Sequence, residues 1–583
     1  MEFLLVARIF DTLEKTASRL AITGELAKLF AQAGKGEIRE LAYLCQGELV
    51  PPHRGIQLGM GDKLAEQAIA IVSGKSIPEI EKDYRKTGDL GETAQEFTRE
   101  KQQKSLHAEA LSVHKVYDNF YKIATESGEG SQDAKIKMLA ELLSNSRESE
   151  AKTIIRFVTG KMRIGIGEPT ILDALSLMAA GDKSLRPRIE HAYNFTGDIG
   201  LVAETFLSKG LDELDKIKPE PFNPVMPALA ERLPGAKEII EKLGKCAVEG
   251  KYDGLRLQVH KKGGKVEIYT RRQEVVTRMF PDIVAAAKTQ IKADNAIFEG
   301  EAIAFNEKTG KFLPFQQTIQ RKRKYEVAEK TRELPLKLFA FDLIEENGND
   351  TTGLPYAARR KKLSQMISKG KTIEPAQAIM VETAKQLDDY FKKCVDAGLE
   401  GIIAKDLKSP YVAGARKFAW IKLKKSYQTE LADTFDLAII GYYYGKGKRT
   451  EFGFGGLLAA AYDPQNREYK SLAKIGTGFS EEQMQFFSDT LSKIKAKQKP
   501  PNVVSLLEPD EWVRPEYVVE VRADEITKSP IHACAMRRNE KTGENEGLAL
   551  RFPRLMRLRG DKKPEDATTE EEILEMFEMQ GRK

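Results

Sequence analysis

The sequence predicts a multidomain protein with an all-α N-terminal region, an α+β central region and a C-terminal β-barrel. Length is the first observation, because 583 residues exceed what one hydrophobic core supports and point to about three domains. The second is a change of periodicity. Residues 1 to about 215 carry apolar residues at helical spacing, as in Ile136, Met138, Leu139, Leu142 and Leu143, whereas short alternating stretches dominate from about 245 onward. The third is the run Pro219, Pro221, Pro224 and Pro227, which reads as a linker between the two regimes. Domains are therefore expected at 1–217, 218–425 and 426–583.

Within the central region, Leu255, Leu257 and Val259 fall on one face of a strand, and Arg256, Gln258 and His260 on the other. Gly263-Gly264 supplies a tight turn, and Val266, Ile268 and Thr270 lead the return strand. A helix is expected over 383–397. After about 426, short strands such as Leu437-Ala438-Ile439-Ile440 and Tyr517-Val518-Val519-Glu520-Val521 suggest a small barrel. The chain closes on a predicted helix, with Thr569 and Glu572 as a capping box and Ile573 and Phe577 on one face. Packing on its own domain and docking on another are both open for it.

The 93 basic and 87 acidic residues leave a net charge of +6, which excludes a global polycation. Any nucleic-acid surface must come from local clusters, and Gln320-Arg321-Lys322-Arg323-Lys324 and Lys446-Gly447-Lys448-Arg449 are candidates beside the plain reading of solvated loops. Cys45, Cys246, Cys394 and Cys534 are scattered, without a metal-binding spacing or a disulfide framework. No signal peptide and no apolar run of membrane-spanning length is present, so an intracellular protein is expected.

The chemistry concentrates after residue 245. Lys251-Tyr252-Asp253-Gly254-Leu255-Arg256 sets a lysine in a polar loop at the mouth of the hairpin. Taken alone it is either a turn or a nucleophile, since an amine that loses its proton can attack phosphorus when nearby cations lower its pKa. Glu299 and Glu301 share a strand face with Ile297, Ile303 and Phe305, so at least one carboxylate is expected away from bulk water. A salt bridge and a metal or hydroxyl contact both satisfy that. Phe339 and Phe341 are core residues or a stacking platform for a purine. Glu400 leads another apolar strand, and Arg416 precedes Trp420-Ile421-Lys422-Leu423-Lys424, where alternation puts Lys422 and Lys424 on one side. Two converging ammonium groups require an anion between them, for which a phosphate would serve.

In that order, the segments around Lys251, Arg271, Glu301, Phe341, Glu400 and Lys422/Lys424 resemble the six-part signature of covalent nucleotidyltransferases, the polynucleotide ligases and messenger-RNA capping enzymes. Arg551-Phe552-Pro553-Arg554, continuing to Arg559-Gly560-Asp561-Lys562 and Pro564-Glu565-Asp566-Ala567-Thr568-Thr569, is similar to the ATP-dependent DNA ligases of archaea and of the eukaryotic replicative type. The resemblance spans essentially the whole chain. It implies an all-α DNA-binding domain, an α+β nucleotidyltransferase (adenylation) domain and a β-barrel OB-fold domain. The implied reaction seals a 5′-phosphate/3′-hydroxyl nick in duplex DNA through a lysyl-AMP intermediate, in replication, repair and recombination.

The same resemblance implies the roles. Lys251 is the nucleophile, Glu249 and Phe341 hold the adenine through a backbone contact and stacking respectively, and Glu301 reaches the ribose. Arg256, Arg271, Arg416, Lys422 and Lys424 line the nucleotide and its phosphates. Glu400 with Glu301 or Asp253 would hold Mg²⁺, with Mn²⁺ as a substitute. Arg554, Arg559 and Lys562 would orient the leaving pyrophosphate. The segment Gly160-Lys161-Met162-Arg163-Ile164-Gly165-Ile166-Gly167 resembles a DNA-contacting loop, with Lys161, Arg163 and Gly165 at the backbone phosphates. A sliding-clamp peptide is expected to follow Gln103-Lys104-Ser105, but Leu106-His107 stand where its aromatic anchors would. A monomer is implied. A capping guanylyltransferase would need no long helical domain ahead of the lysine. An RNA ligase typically lacks this barrel signature, and a catalytically dead scaffold would have lost Lys251, Glu301, Glu400 or Lys422.

Overall fold

A computed structural model describes residues 1–583 apart from Ala17, 100–109, Arg163, Gly165, 307–310, Pro314, 324–325, 425–433, 446–448, 450–451, 539–544 and 582–583. The chain forms two compact units, Met1–Lys424 and Lys425–Lys583.

The first unit begins with helices, from Phe3–Glu14 to Leu211–Leu214. Their starts are set locally: Ser18 accepts from the Ala21 N–H at 3.3 Å, Ser112 from Lys115 at 3.1 Å and Asp198 from Leu201 at 2.8 Å. The apolar faces meet in one core that includes Phe3, Leu26, Phe30, Leu41, Phe120, Ile154, Phe157, Leu175 and Val202. The expected amphipathic stretch lies in the helix Ser131–Asn145, with Ile136, Leu139, Leu142 and Leu143 buried and Met138 packed at its margin.

Two sheets follow. The first has the strand order Leu229–Arg232, Arg416–Lys424, Gly401–Asp406, Cys246–Lys251 and Ala378–Val381, the first pair parallel and the rest antiparallel. The second runs Lys265–Thr270, Leu255–Lys262, Asn295–Ala304, Leu336–Glu346 and Asn349–Asp350, with Ile373–Pro375 pairing in parallel to Leu336–Glu346. The hairpin has the anticipated faces: Leu257 and Val259 enter the core, and Gly263 turns the chain at φ 55°. The helix expected over 383–397 spans Ala384–Asp396. Helices and sheets share packing, because Phe195 joins Val225, Tyr411 and Trp420 in one cluster. Asn194 also accepts from the Met226 N–H at 2.7 Å and donates to the Ala413 carbonyl at 3.0 Å.

One buried charge pair braces the second sheet. Arg359 and Asp342 are both fully buried and joined at 2.7 and 3.0 Å, and Arg359 also donates to the Leu354 and Ser409 carbonyls.

The second unit is rich in short strands, with Phe435–Tyr443 pairing against Gly456–Asp463, Glu511–Val513 and Val518–Arg522. Glu525–Ser529, Asn545–Arg551 and Cys534–Arg538 make a smaller sheet. Leu437, Ile439, Phe454, Leu457, Val519, Val521, Leu550 and Leu555 form the core. The final helix, Glu570–Gly581, packs on this same core through fully buried Ile573. Its capping box is formed: Thr569 donates to Glu572 from its N–H at 2.7 Å, and the Glu572 N–H donates to Thr569 Oγ1 at 3.3 Å.

Replacing Arg359 by Met leaves Asp342 buried without its partner and should cost about 3–5 kcal/mol of unfolding free energy. Urea denaturation checks this, and a loss under about 1 kcal/mol would show that the pair carries no such weight.

Candidate active site

The strand register builds one wall of the site. Lys251 pairs with Gly401 and Gly401 with Lys424; Glu249 pairs with Ile403 and Ile403 with Lys422; Lys405 pairs with Trp420. Paired residues in an antiparallel ladder point to the same face, so Lys251, Glu249, Lys405, Lys422, Lys424 and Trp420 share one side. Close approach is possible because position 401 has no side chain. At φ 152°, a Cβ there would lie 2.1 Å from the Leu423 carbonyl oxygen. The second sheet supplies the other wall, where Arg256 pairs with Glu301 and Gln258 with Glu299.

Residues of both sheets line a cavity of about 580 Å³, a size suited to a nucleotide. Glu249, Lys251, Arg256, Arg271, Glu301, Phe341 and Lys422 line it, together with Tyr252, Arg272, Ala376, Ile403, Lys405 and Trp420. Phe341 meets Trp420 edge-on at 5.8 Å, and the Arg256 guanidinium lies 5.3 and 5.5 Å from the two ring centres. Gly254 packs where a Cβ would stand 2.3 Å from the Ala302 carbonyl oxygen, which brings the lysine loop against the Glu301 strand.

Carboxylates organise these cations. Glu400 accepts from Lys251 at one oxygen and ion-pairs Lys424 at the other. Burial works against its charge, but Lys251 and Lys424 outweigh that and hold the carboxyl below its usual range. Glu299, 1% exposed, takes Arg256 at 2.7 Å and the Tyr411 hydroxyl at 2.7 Å. Arg256 also donates to the Ala228 carbonyl at 2.7 Å. Glu249 binds the Tyr356 hydroxyl, Arg360 at 2.8 Å and Lys405 at 2.8 Å. Burial lowers the Lys405 pKa against the pull of Glu249 and Asp342. Burial pushes the Glu301 carboxyl up to about 7, only partly offset by Lys251 and Arg256.

Three family models match consecutive stretches of the chain. "DNA ligase N terminus" covers residues 2–176, "ATP dependent DNA ligase domain" 227–424 and "ATP dependent DNA ligase C terminal region" 450–562. A probable DNA ligase of Dictyoglomus turgidum is 46% identical over 573 residues, covering 98% of this chain and 97% of its own. The DNA ligase of Sulfolobus acidocaldarius is 41% identical over 594 residues, covering 100% of this chain and 99% of its own.

The chain belongs to the ATP-dependent DNA ligases. This ligase seals nicks in DNA and uses ATP as AMP donor with a divalent metal. The solved structure described as "Pmar-Lig_PreS3" shares the fold, with a TM-score of 0.55 at 18% identity over 95% of this chain and 99% of that one. Among the described residues, no helix is long and apolar enough to cross a membrane.

The remaining expected positions of the ligase divide. Lys161 is bound to Asp62 at 2.7 and 2.9 Å and to the Tyr84 hydroxyl at 3.0 Å. Arg163, Gly165 and the 103–106 clamp segment lie outside the described residues, as do Lys324, 446–448 and the Arg416 side chain. Arg321, expected in a surface cluster, is instead 1% exposed. It binds Asp282 and the Leu334 carbonyl. In the second unit, Arg554 is exposed, while Arg559 and Lys562 both hold Asp436, at 3.0 and 2.8 Å.

The expected metal residues are not gathered into one cluster of carboxylates. Among the described residues, Glu301, Glu400 and Asp253 do not form a group of three carboxylates within 4.8 Å of one another. Glu14, Asp89 and Glu92 do, but Arg156 binds the first two at 2.8 and 2.5 Å. Glu400 is engaged by two ammonium groups, and the carboxyl of Glu301 is raised by desolvation. Asp253 adds repulsive charge beside it.

Sequence reasoning missed Lys405, Trp420, Tyr356 and Arg360. Lys405 and Trp420 could have been found from alternation, since they continue the faces set by Ile403 and by Lys422. Tyr356 and Arg360 come from the helix Tyr356–Met366, which carries no local signal for that role.

Because Glu301 titrates near 7 in the fold against 4.5 as an ordinary carboxyl, the folded state binds more protons across that window. Its contribution to stability therefore falls as pH rises through it. Glu301→Gln should gain stability relative to the parent between about pH 5 and about pH 8, by on the order of 3 kcal/mol. Urea midpoints at the two pH values measure this, and an unchanged difference would contradict the raised carboxyl.

Proposed function

We propose that Lys251 is the nucleophile of this ligase. The observation that carries the reading is its position on the wall of a nucleotide-sized cavity, in line with Gly401 and Lys424, with its amine on Glu400. A deprotonated Lys251 Nζ attacks the α-phosphorus of ATP, forming an N–P bond as the bond to pyrophosphate breaks. The 5′-phosphate of a nick then displaces Lys251 from the AMP. The 3′-hydroxyl finally displaces AMP and closes the strand. Each step is an in-line displacement at phosphorus, so positioning and charge stabilisation carry the catalysis.

Phe341 stacks on the adenine with Glu249 at its edge, and Glu301 reaches the ribose. Arg256, Arg271, Arg416, Lys422 and Lys424 face the phosphates. Incoming phosphate takes over from Glu400 as counter-charge to Lys424, and Lys251 gives up its ammonium proton to solvent before it attacks, a loss that the neighbouring cations favour. Glu301 with Asp253, and Glu400 once released, would hold Mg²⁺ or Mn²⁺, which supplies charge neutralisation at the phosphates. Arg554, Arg559 and Lys562 orient pyrophosphate, and for the last two this requires exchange of Asp436 for the leaving group.

Residues 1–217 form the DNA-binding domain, contacting backbone phosphates through Lys161, Arg163 and Gly165; residues 218–425 form the adenylation domain and 426–583 the OB-fold domain. The ligase works as an intracellular monomer, a reading supported by four buried free cysteines.

Lys251→Ala should abolish both covalent uptake of labelled AMP and sealing, and persistent labelling would remove Lys251 from its role. Lys562→Ala should slow self-adenylation about tenfold or more while sparing the sealing of a pre-adenylated nick. Equal losses in the two assays would argue against pyrophosphate orientation.

A further inference from the structure

At one end of the cavity lies a set of charges that the reaction chemistry does not use. Glu249 stands two residues before Lys251 on the same strand face, and its carboxyl is 3% exposed. Arg360 donates to Glu249 Oε1 at 2.8 Å and, through its other terminal nitrogen, to the Ala376 carbonyl at 2.6 Å. The Tyr356 hydroxyl shares Oε1, and Lys405 holds Oε2 at 2.8 Å. Lys405 also donates to the Phe341 carbonyl at 3.0 Å and sits 4.5 to 4.9 Å from the ring centres of Trp420, Tyr356 and Phe341.

Glu249, Ala376, Phe341 and Lys405 line the cavity, whereas Arg360 and Tyr356 do not. Arg360 therefore acts through other groups. It ties Glu249, on the strand that carries Lys251, to the Ala376 backbone on a different segment. An ionised carboxylate offers about four acceptor positions and no donor. The donors from Tyr356, Arg360 and Lys405 occupy three of them, leaving one acceptor position for a ligand at a fixed angle. A base edge that presents an N–H satisfies that position. A base lacking the donor leaves it unpaired, and one presenting an oxygen meets repulsion, which is the stronger form of selectivity available to a buried polar group.

We propose that Arg360 is a positioning residue for base selection, holding the Glu249 carboxylate so that the cavity favours a purine bearing an exocyclic amine. The proposal rests on the nucleotide reading of the cavity given above and names what sets its base preference. Arg360 does not touch the reacting phosphorus. Its loss therefore weakens recognition of the amine and leaves phosphoryl transfer from a bound nucleotide intact. Tyr356 and Lys405 remain on the carboxylate in its absence, so its charge stays compensated while its orientation is released.

The test is covalent nucleotidyl transfer to the full chain, with ATP and with purine riboside triphosphate, which differs only in lacking the 6-amino group. The parent should prefer ATP. Arg360→Met should lower kcat/KM for ATP by about tenfold, mostly through KM, and change that for purine riboside triphosphate by less than about twofold. Arg360→Lys, which keeps the charge and a donor, should recover part of the preference. An equal loss with both triphosphates in either variant would mean a merely structural residue and would overturn the proposal, with Lys251 chemistry still standing. Absence of any covalent nucleotide on the parent would overturn the underlying reading as well.

Discussion

Two ammonium groups on one sheet face repel each other, and the centre of this ligase is arranged around that repulsion. Lys251 and Lys424 flank Gly401, whose missing side chain lets their strands close. The Glu400 carboxylate, one residue earlier, divides its oxygens between them. The sequence pattern called for an anion between Lys422 and Lys424 and pointed to a phosphate, whereas the carboxylate found here joins Lys424 to Lys251. The protein supplies that carboxylate itself, so in the proposed mechanism binding of ATP would exchange one anion for another rather than fill a bare cationic hole. That exchange avoids the cost of uncompensated buried charge in either state.

The same logic recurs outward from the centre. Arg256 is held by Glu299, Lys405 and Arg360 by Glu249, and Arg359 by Asp342. Each of these basic groups has an internal carboxylate, which fixes it before substrate arrives and lowers the ordering cost on binding. Glu301 is the exception in sign: burial raises its carboxyl to about 7. Arg559 and Lys562, in the second unit, are similarly stored on Asp436.

Much of this was legible in the sequence where the rules are local. Alternation placed Lys422 with Lys424 and separated Leu257 from Arg256. The capping pair Thr569/Glu572 marked the last helix, and four prolines marked the change from helices to sheets. What could not be read were contacts made across long stretches of chain. Nothing near Glu249 announces that Tyr356 and Arg360 will reach it from more than a hundred residues away. Charge clusters misled for the same reason. Arg321 lies in a basic run, yet its partner Asp282 and the Leu334 carbonyl draw it into the interior.

The central claim is that one amine among several lysines near the cavity becomes covalently joined to AMP. Lys405, Lys422 and Lys424 are all alternatives within the same two strands, so the identity of the modified residue is the sharpest discriminator. Incubating the ligase with ATP and divalent metal, in the absence of DNA, and mapping the adduct by peptide mass spectrometry decides it. The account predicts a single adenylate on Lys251. An adenylate on Lys405, Lys422 or Lys424 instead would contradict it.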